Sequence, residues 1–153
     1  MHNLQDTYAP NSICFGCGPK NLKGLRIKSV PHGESLEADW MPESYHAAFS
    51  NISNGGIISV LLDCHGNWTA AYTLMKSRKL DSPPGTVTAE YTVRFLRPTP
   101  MGKAWHLRAW PTVIDGDKVF VEGEVVADGR KTATMSGLFV AVKEGHPAFH
   151  RWQ

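Results

Sequence analysis

Nowhere in the chain does an apolar run approach the roughly 18 residues needed to span a bilayer, so no membrane helix is expected. Long runs of one charge are also missing. Sixteen Lys and Arg stand against fourteen Asp and Glu, a net charge of +2, with no basic stretch able to track a phosphate backbone. That balance argues against a nucleic-acid partner. Met1 to Pro10 lacks a basic segment followed by an apolar one, so no signal peptide is read. Cysteine is scarce and odd in number, at three, which together with the missing signal leads to the expectation of a cytoplasmic protein with reduced thiols. A second cysteine pair is lacking too. Cys14-x-x-Cys17 raises zinc, but a structural site takes four ligands, and the pair is read as a turn rather than a metal site. Asp115-Gly116-Asp117 resembles part of a calcium loop but lacks the later acidic ligands.

What is present suits one compact domain: 153 residues, 42% of them apolar and 10% aromatic, can bury a sizeable core. No internal repeat, linker or low-complexity segment divides it. Residues 1–23 read as an irregular arm, 24–143 as the folded domain, and 144–153 as a tail without pattern. Gly24 to Val30 and Ser35 to Trp40 alternate around Pro31-His32-Gly33, the signature of a hairpin. From Gly55 onward Ile58, Leu61, Leu62, Trp68, Tyr72 and Met75 recur at spacings of three and four, predicting one amphipathic helix over 55–76. Asn51, Ser53 and Asn54 suit its N-cap, and Pro83-Pro84-Gly85 bars its continuation.

Four β segments follow: Thr86 to Arg97, Lys103 to Ile114, Lys118 to Ala127 and Arg130 to Lys143. The Asp-Gly pairs at 115–116 and 128–129 are hairpin signals, so an antiparallel meander is expected. In the first segment Val87, Ala89, Tyr91, Val93 and Phe95 alternate with Thr86, Thr88, Glu90, Thr92 and Arg94, giving one apolar and one polar face. An apolar sheet face needs a cover, and only the 55–76 helix is long enough. The economical architecture is therefore α+β, an antiparallel sheet curled around one central helix.

Two segments carry a resemblance to a known family. Asn54-Gly55-Gly56-Ile57-Ile58-Ser59-Val60-Leu61-Leu62-Asp63 is similar to the His-Gly-Gly and acid-bearing helix of the PaaI-like acyl-CoA thioesterases, which have the hotdog fold. Thr88-Ala89-Glu90-Tyr91-Thr92-Val93-Arg94-Phe95-Leu96-Arg97-Pro98 is similar to that family's strand that begins near a Thr and ends in Arg-Pro. Cys14-Phe15-Gly16-Cys17-Gly18 resembles a third, softer element found in the arm of many bacterial members. The chain departs from the best-known branch at Asn54, which stands where that branch has His.

The resemblance implies hydrolysis of an acyl-CoA or related thioester, without metal or organic cofactor. Gly55 and Gly56 then open the helix as an oxyanion hole, their N–H groups assisted by the helix dipole and their missing Cβ atoms allowing close approach. The plainer reading is a loop-to-helix junction. Asp63 is implied as the catalytic acid, acting as general base or as nucleophile. It lies about 12 Å further along the helix axis, too far for one helix to serve one carbonyl. The family resolves this by pairing protomers, implying at least a homodimer, or a dimer of dimers.

Asn67, one turn beyond Asp63, is a candidate for positioning the carboxylate or the water. Thr88 matches a family position whose hydroxyl bonds the acid or the water; the alternative is a half-exposed strand Thr. Asn54 either replaces the missing imidazole or caps the helix, the cap being favoured. His65, off the face of Asp63, reads as a core or interface residue, and Gly66 as a close-packing position. Arg94, Arg97 and Lys103 are candidates for the CoA phosphates. Tyr45-His46-Ala47-Ala48-Phe49 offers apolar lining for an acyl group. Two other readings compete: a noncatalytic acyl- or ligand-binding hotdog protein, suggested by Asn54, and a hotdog dehydratase, which wants a His-to-acid motif not evident here.

Overall fold

The computed structural model describes residues 2–153, so Met1 of the expected arm lies outside it. A short helix, α1 (Leu4–Tyr8), opens the chain, followed by strands β1 (Val30–His32) and β2 (Ser35–Trp40). A 3-10 turn (Ser44–His46) leads into a small hairpin, β3 (Ala47–Phe49) and β4 (Ile52–Ser53). The long helix α2 (Gly55–Ser77) comes next, then β5 (Thr86–Phe95), β6 (Trp105–Asp115), β7 (Lys118–Ala127) and β8 (Arg130–Ala141). The large sheet is fully antiparallel, with order β1-β2-β6-β7-β8-β5, and α2 packs across its inner face. The α+β expectation of one central helix covered by a curled sheet holds.

The four-strand meander needs correction. β6, β7 and β8 do run as consecutive hairpins, but β5 pairs with β8 at the sheet edge while β2 occupies the other side of β6. The physical reason lies in Pro98–Gly102: two prolines in a five-residue connection lack the donors of a tight hairpin, and this segment carries the chain across to the far side of the sheet. The first hairpin is also shorter than expected. Arg26 sits at φ 51°, left-handed backbone that interrupts extension, and Leu25 and Ile27 instead donate their N–H groups to Phe15 and Gly16 carbonyls in the arm.

The core is built on α2. Ile58, Leu61, Leu62, Trp68 and Leu74 are buried against Trp105, Leu107, Val121 and Phe139 of the sheet. Gly66 faces β8 so closely that a Cβ there would lie 2.6 Å from Met135 Cε and 2.8 Å from Phe139 Cζ. Mid-helix glycine thus serves packing. The arm contributes too: Leu4, Ala9 and Cys17 are buried in the same cluster. At the other terminus Trp152 lies against Trp68 with ring centroids 4.3 Å apart and donates its indole N–H to the Pro84 carbonyl.

The polar–apolar alternation read along β5 changes sign at one residue. Register shifts between Thr88, opposite Phe139, and Glu90, opposite Leu138, so Ala89 is the extra residue of a β-bulge. Before it, the even positions Thr86 and Thr88 turn to the helix; after it, the odd positions Val93 and Phe95 do. Thr86, expected on the polar face, is accordingly fully buried.

Candidate active site

Asp63 lies in the third turn of α2, half-buried, with Leu62 and Cys64 buried on either side. Its carboxylate accepts a 2.6 Å hydrogen bond from Thr88 Oγ1 across the gap to β5. Burial raises the Asp63 pKa above the ordinary carboxylate value, while the Thr88 bond and the more distant Arg151 charge pull it down. Tyr91, three positions beyond Thr88, also stands in the field of Asp63: burial first, and then that negative charge, push its phenol pKa up.

The bulge at Ala89 makes this pairing possible. Without the extra residue, a strand that points Thr88 at the helix would point Tyr91, Val93 and Phe95 away from it. With it, a hydroxyl meets the acid at mid-helix and an aromatic ring covers the helix start. The ring is Phe95, whose Cζ would lie 3.2 Å from a Cβ on Gly55.

Asn54 is the N-cap of α2. It has extended backbone dihedrals, and its Oδ1 accepts the Gly56 N–H at 2.7 Å. Of the two amides expected at the oxyanion position, that of Gly56 is therefore already engaged, whereas Gly55, at the first helical position, has no intrahelical acceptor for its N–H. A cleft of about 530 Å³ opens beside Gly55, bounded by Ala48, Phe49, Ile58, Phe95 and Arg97. Asp63 is not among its lining residues. Gly55 and Asp63 are eight positions apart on the helix, about 12 Å along the axis.

The other expected site residues divide. Asn67 does not reach Asp63 with its hydrogen bonds: its amide donates to the Thr86 carbonyl, and its Oδ1 accepts from Thr86 Oγ1. It ties α2 to β5 one turn past the acid. Arg97 donates to the Lys131 carbonyl at 2.7 Å and borders the cleft. Lys103 is paired with Asp128 on the surface, and Arg94 is exposed on the face of β5 opposite the helix. His65 is fully buried. Its Nε2–H donates to the Leu36 carbonyl, which leaves Nδ1 to accept from Ser29 Oγ, and burial presses its pKa down to about 4. It belongs to the core. Of the Tyr45–Phe49 segment, Ala48 and Phe49 line the cleft while Tyr45 is exposed.

Three neighbours of the site were not among the site residues expected from the sequence. Tyr91 had only its place in an alternating strand. Arg151 lies in the tail, where it donates to the Thr86 carbonyl at 2.7 Å and contributes positive charge toward Asp63. Cys14, in the arm, works in the opposite sense to Arg151, raising the Asp63 pKa.

Residues 51–134 match the family model of the thioesterase superfamily, a span that includes Asn54, Asp63, Thr88 and most of the sheet. No curated protein matches the chain. Among solved structures, a thioesterase superfamily protein from Shewanella loihica is 31% identical, aligned over 76% of this chain and 91% of its own, with a TM-score of 0.66. The PaaI protein of the E. coli phenylacetic acid degradation operon is 15% identical over 78% of this chain and 81% of its own, TM-score 0.66. A thioesterase from Haemophilus influenzae is 16% identical over 80% and 84%, TM-score 0.67. At these lower identities the likeness is one of fold, and the fold is the hotdog.

Proposed function

The chain belongs to the thioesterase superfamily, and from that premise we propose that it is an acyl-CoA thioesterase of the PaaI-like type, with Asp63 as its principal catalytic side chain. The observation that carries this reading is the Thr88–Asp63 hydrogen bond. A half-buried carboxylate is costly to keep without a partner or a purpose, and here one hydroxyl orients it while a second oxygen stays available. Available to whom is a matter of chemistry: that oxygen either takes a proton from the attacking water or attacks the thioester carbonyl itself. Thr88 is a positioning residue in either case.

The oxyanion that forms on the carbonyl needs donors aimed at it, and the start of α2 supplies them in Gly55 and, on displacement of Asn54 Oδ1, Gly56. Glycine keeps this approach open, since a side chain at Gly55 would press on Phe95. The acyl group lies in the adjoining apolar cleft, and Arg97 at its border faces the CoA end.

One protomer separates the glycine end from the acid by about 12 Å, so the complete site is built between two copies, Gly55 of one facing Asp63 of the other. Two features support a homodimer. β5 is a sheet edge, with an unpaired backbone row, and Tyr91 and Phe95 on it are 37% and 53% exposed. A dimer of dimers would extend the same logic.

The test is thiol release from a panel of short, medium and aromatic acyl-CoAs, beside the change in absorbance of enoyl-CoA. Release of free CoA with no effect on enoyl-CoA is the expected result. Hydration of enoyl-CoA without thiol release would move the reading to a dehydratase, and binding without turnover on any substrate to a noncatalytic protein.

A further inference from the structure

The arm and the central helix bring all three cysteines of the chain to one point, although Cys64 lies 47 residues beyond Cys17 and belongs to a different element. Their sulfurs lie within 4.8 Å of one another, and Cys14 Sγ is 3.7 Å from Cys64 Sγ. We propose that Cys14, Cys17 and Cys64 form a three-thiolate site for a soft divalent cation of the zinc class, pinning the N-terminal arm to α2.

Geometry supports this first. Sulfurs bound at about 2.3 Å to a common tetrahedral centre stand about 3.8 Å apart. The Cys14–Cys64 separation of 3.7 Å is that edge length. A disulfide needs about 2.05 Å between sulfurs and joins only two of the three. A shared metal ion uses all of them, leaving the fourth position to water or another exogenous ligand.

The surrounding backbone is shaped to hold the cluster. A Cβ on Gly16 would lie 2.3 Å from Cys64 Sγ and 2.8 Å from Val60 Cγ1, so the turn between the two arm cysteines lies directly on the helix. A Cβ on Gly18 would lie 2.4 Å from the Cys14 nitrogen, and the Gly18 N–H closes the turn onto the Cys14 carbonyl at 2.8 Å. Both glycines are thus required by close approach rather than by dihedral freedom.

The sulfurs also face a donor: Trp68 Nε1–H points to Cys17 Sγ at 3.4 Å. Donors of this kind favour thiolates and are the usual outer partners of metal-bound sulfur. Cys17 and Cys64 are buried while Cys14 is half-buried, so an ion has a route in on the Cys14 side. Asp63, next in chain to Cys64, adds negative charge near the same point.

The spacing of the cysteines along the chain gives no sign of this cluster. Cys14-x-x-Cys17 lacks a second pair, but a lone cysteine presented by a helix serves as third ligand once the arm folds onto it.

The experiment is titration of fully reduced, chelator-treated full-length protein with Co(II), read by thiolate-to-cobalt charge-transfer absorption. The expected result is one cobalt per chain, a band of three-thiolate intensity, and its loss on adding zinc. Cys64→Ser should weaken uptake at least tenfold, as should Cys14→Ser, whose half-buried position makes it the variant least prone to misfold; circular dichroism checks both. No charge-transfer band in the reduced wild type would overturn the proposal. So would a Cys64→Ser protein that folds and binds cobalt as tightly as the wild type, or a Cys14–Cys64 disulfide whose reduction yields no metal uptake.

Discussion

Thr88 Oγ1 donates a 2.6 Å hydrogen bond to Asp63 Oδ1, joining an edge strand to the middle of the central helix at the one half-buried carboxylate of that helix. The bond exists because a bulge at Ala89 turns Thr86 and Thr88 inward without turning Val93 and Phe95 outward. Removing the hydroxyl tests what it does. A hydrogen bond to a charged group contributes about 1.5–3 kcal/mol, so Thr88→Val is expected to lower kcat roughly ten- to a hundredfold with little change in KM. Thr88→Ser should restore most of the loss, and steady-state kinetics on the three proteins checks both statements. An unchanged kcat in Thr88→Val would remove the positioning role.

Asn54 holds the Gly56 N–H at 2.7 Å and so stabilises the helix start while occupying one of the two donors proposed for the oxyanion. Asn54→Ala is expected to cost about 1 kcal/mol of stability, seen as a lower urea midpoint, yet to leave kcat undiminished or raised because Gly56 is freed. A fall in both would assign the Asn54 amide itself to the reaction.

His106 sits between Asp39 and Glu37, at 2.8 and 3.2 Å, on the pair β2 and β6. The hydrogen bond to Asp39 is the main cause that raises its pKa, partly offset by burial and reinforced by Glu37. The His106 contribution to stability is therefore fully present below the unfolded value near about 6.5 and is lost as pH rises through the higher folded value. Denaturation midpoints of wild type and His106→Gln should differ most below about pH 6 and converge in mild alkali. His32 Nδ1 also lies 3.5 Å from Glu37 but has no contact with Asp39, so His32→Gln serves as the control.

Much of this architecture was legible in local pattern. The three-and-four spacing from Ile58 to Met75 marked α2 to within a residue of its observed end at Ser77, because a helix buried in a sheet needs an apolar face along its length. The Asp-Gly pairs marked the turns on either side of β7 because they supply the positive φ found at Gly116, Asp128 and Gly129. What local pattern missed is long-range. The bulge at Ala89 carries no glycine or proline signal, and it inverted the faces assigned to half of β5. The edge position of β5 follows from strand pairing with β8, which no turn encodes. The tail looked patternless because Trp152 and Arg151 find their partners, Pro84 and Thr86, more than sixty residues away. Asp63 and the glycines stood out through motif order, whereas Asn67 shared the acid's face only to bond Thr86 instead.

The most direct measurement is kcat for acyl-CoA hydrolysis by wild type and Asp63→Asn, with substrate binding and the unfolding midpoint measured on the same preparations. The amide is nearly isosteric and still accepts from Thr88, so it removes the charge and little else. A catalytic role for Asp63 predicts that turnover falls at least a hundredfold while binding and folding persist. Turnover within a few-fold of wild type in the folded variant would contradict it and place the chemistry elsewhere in the chain.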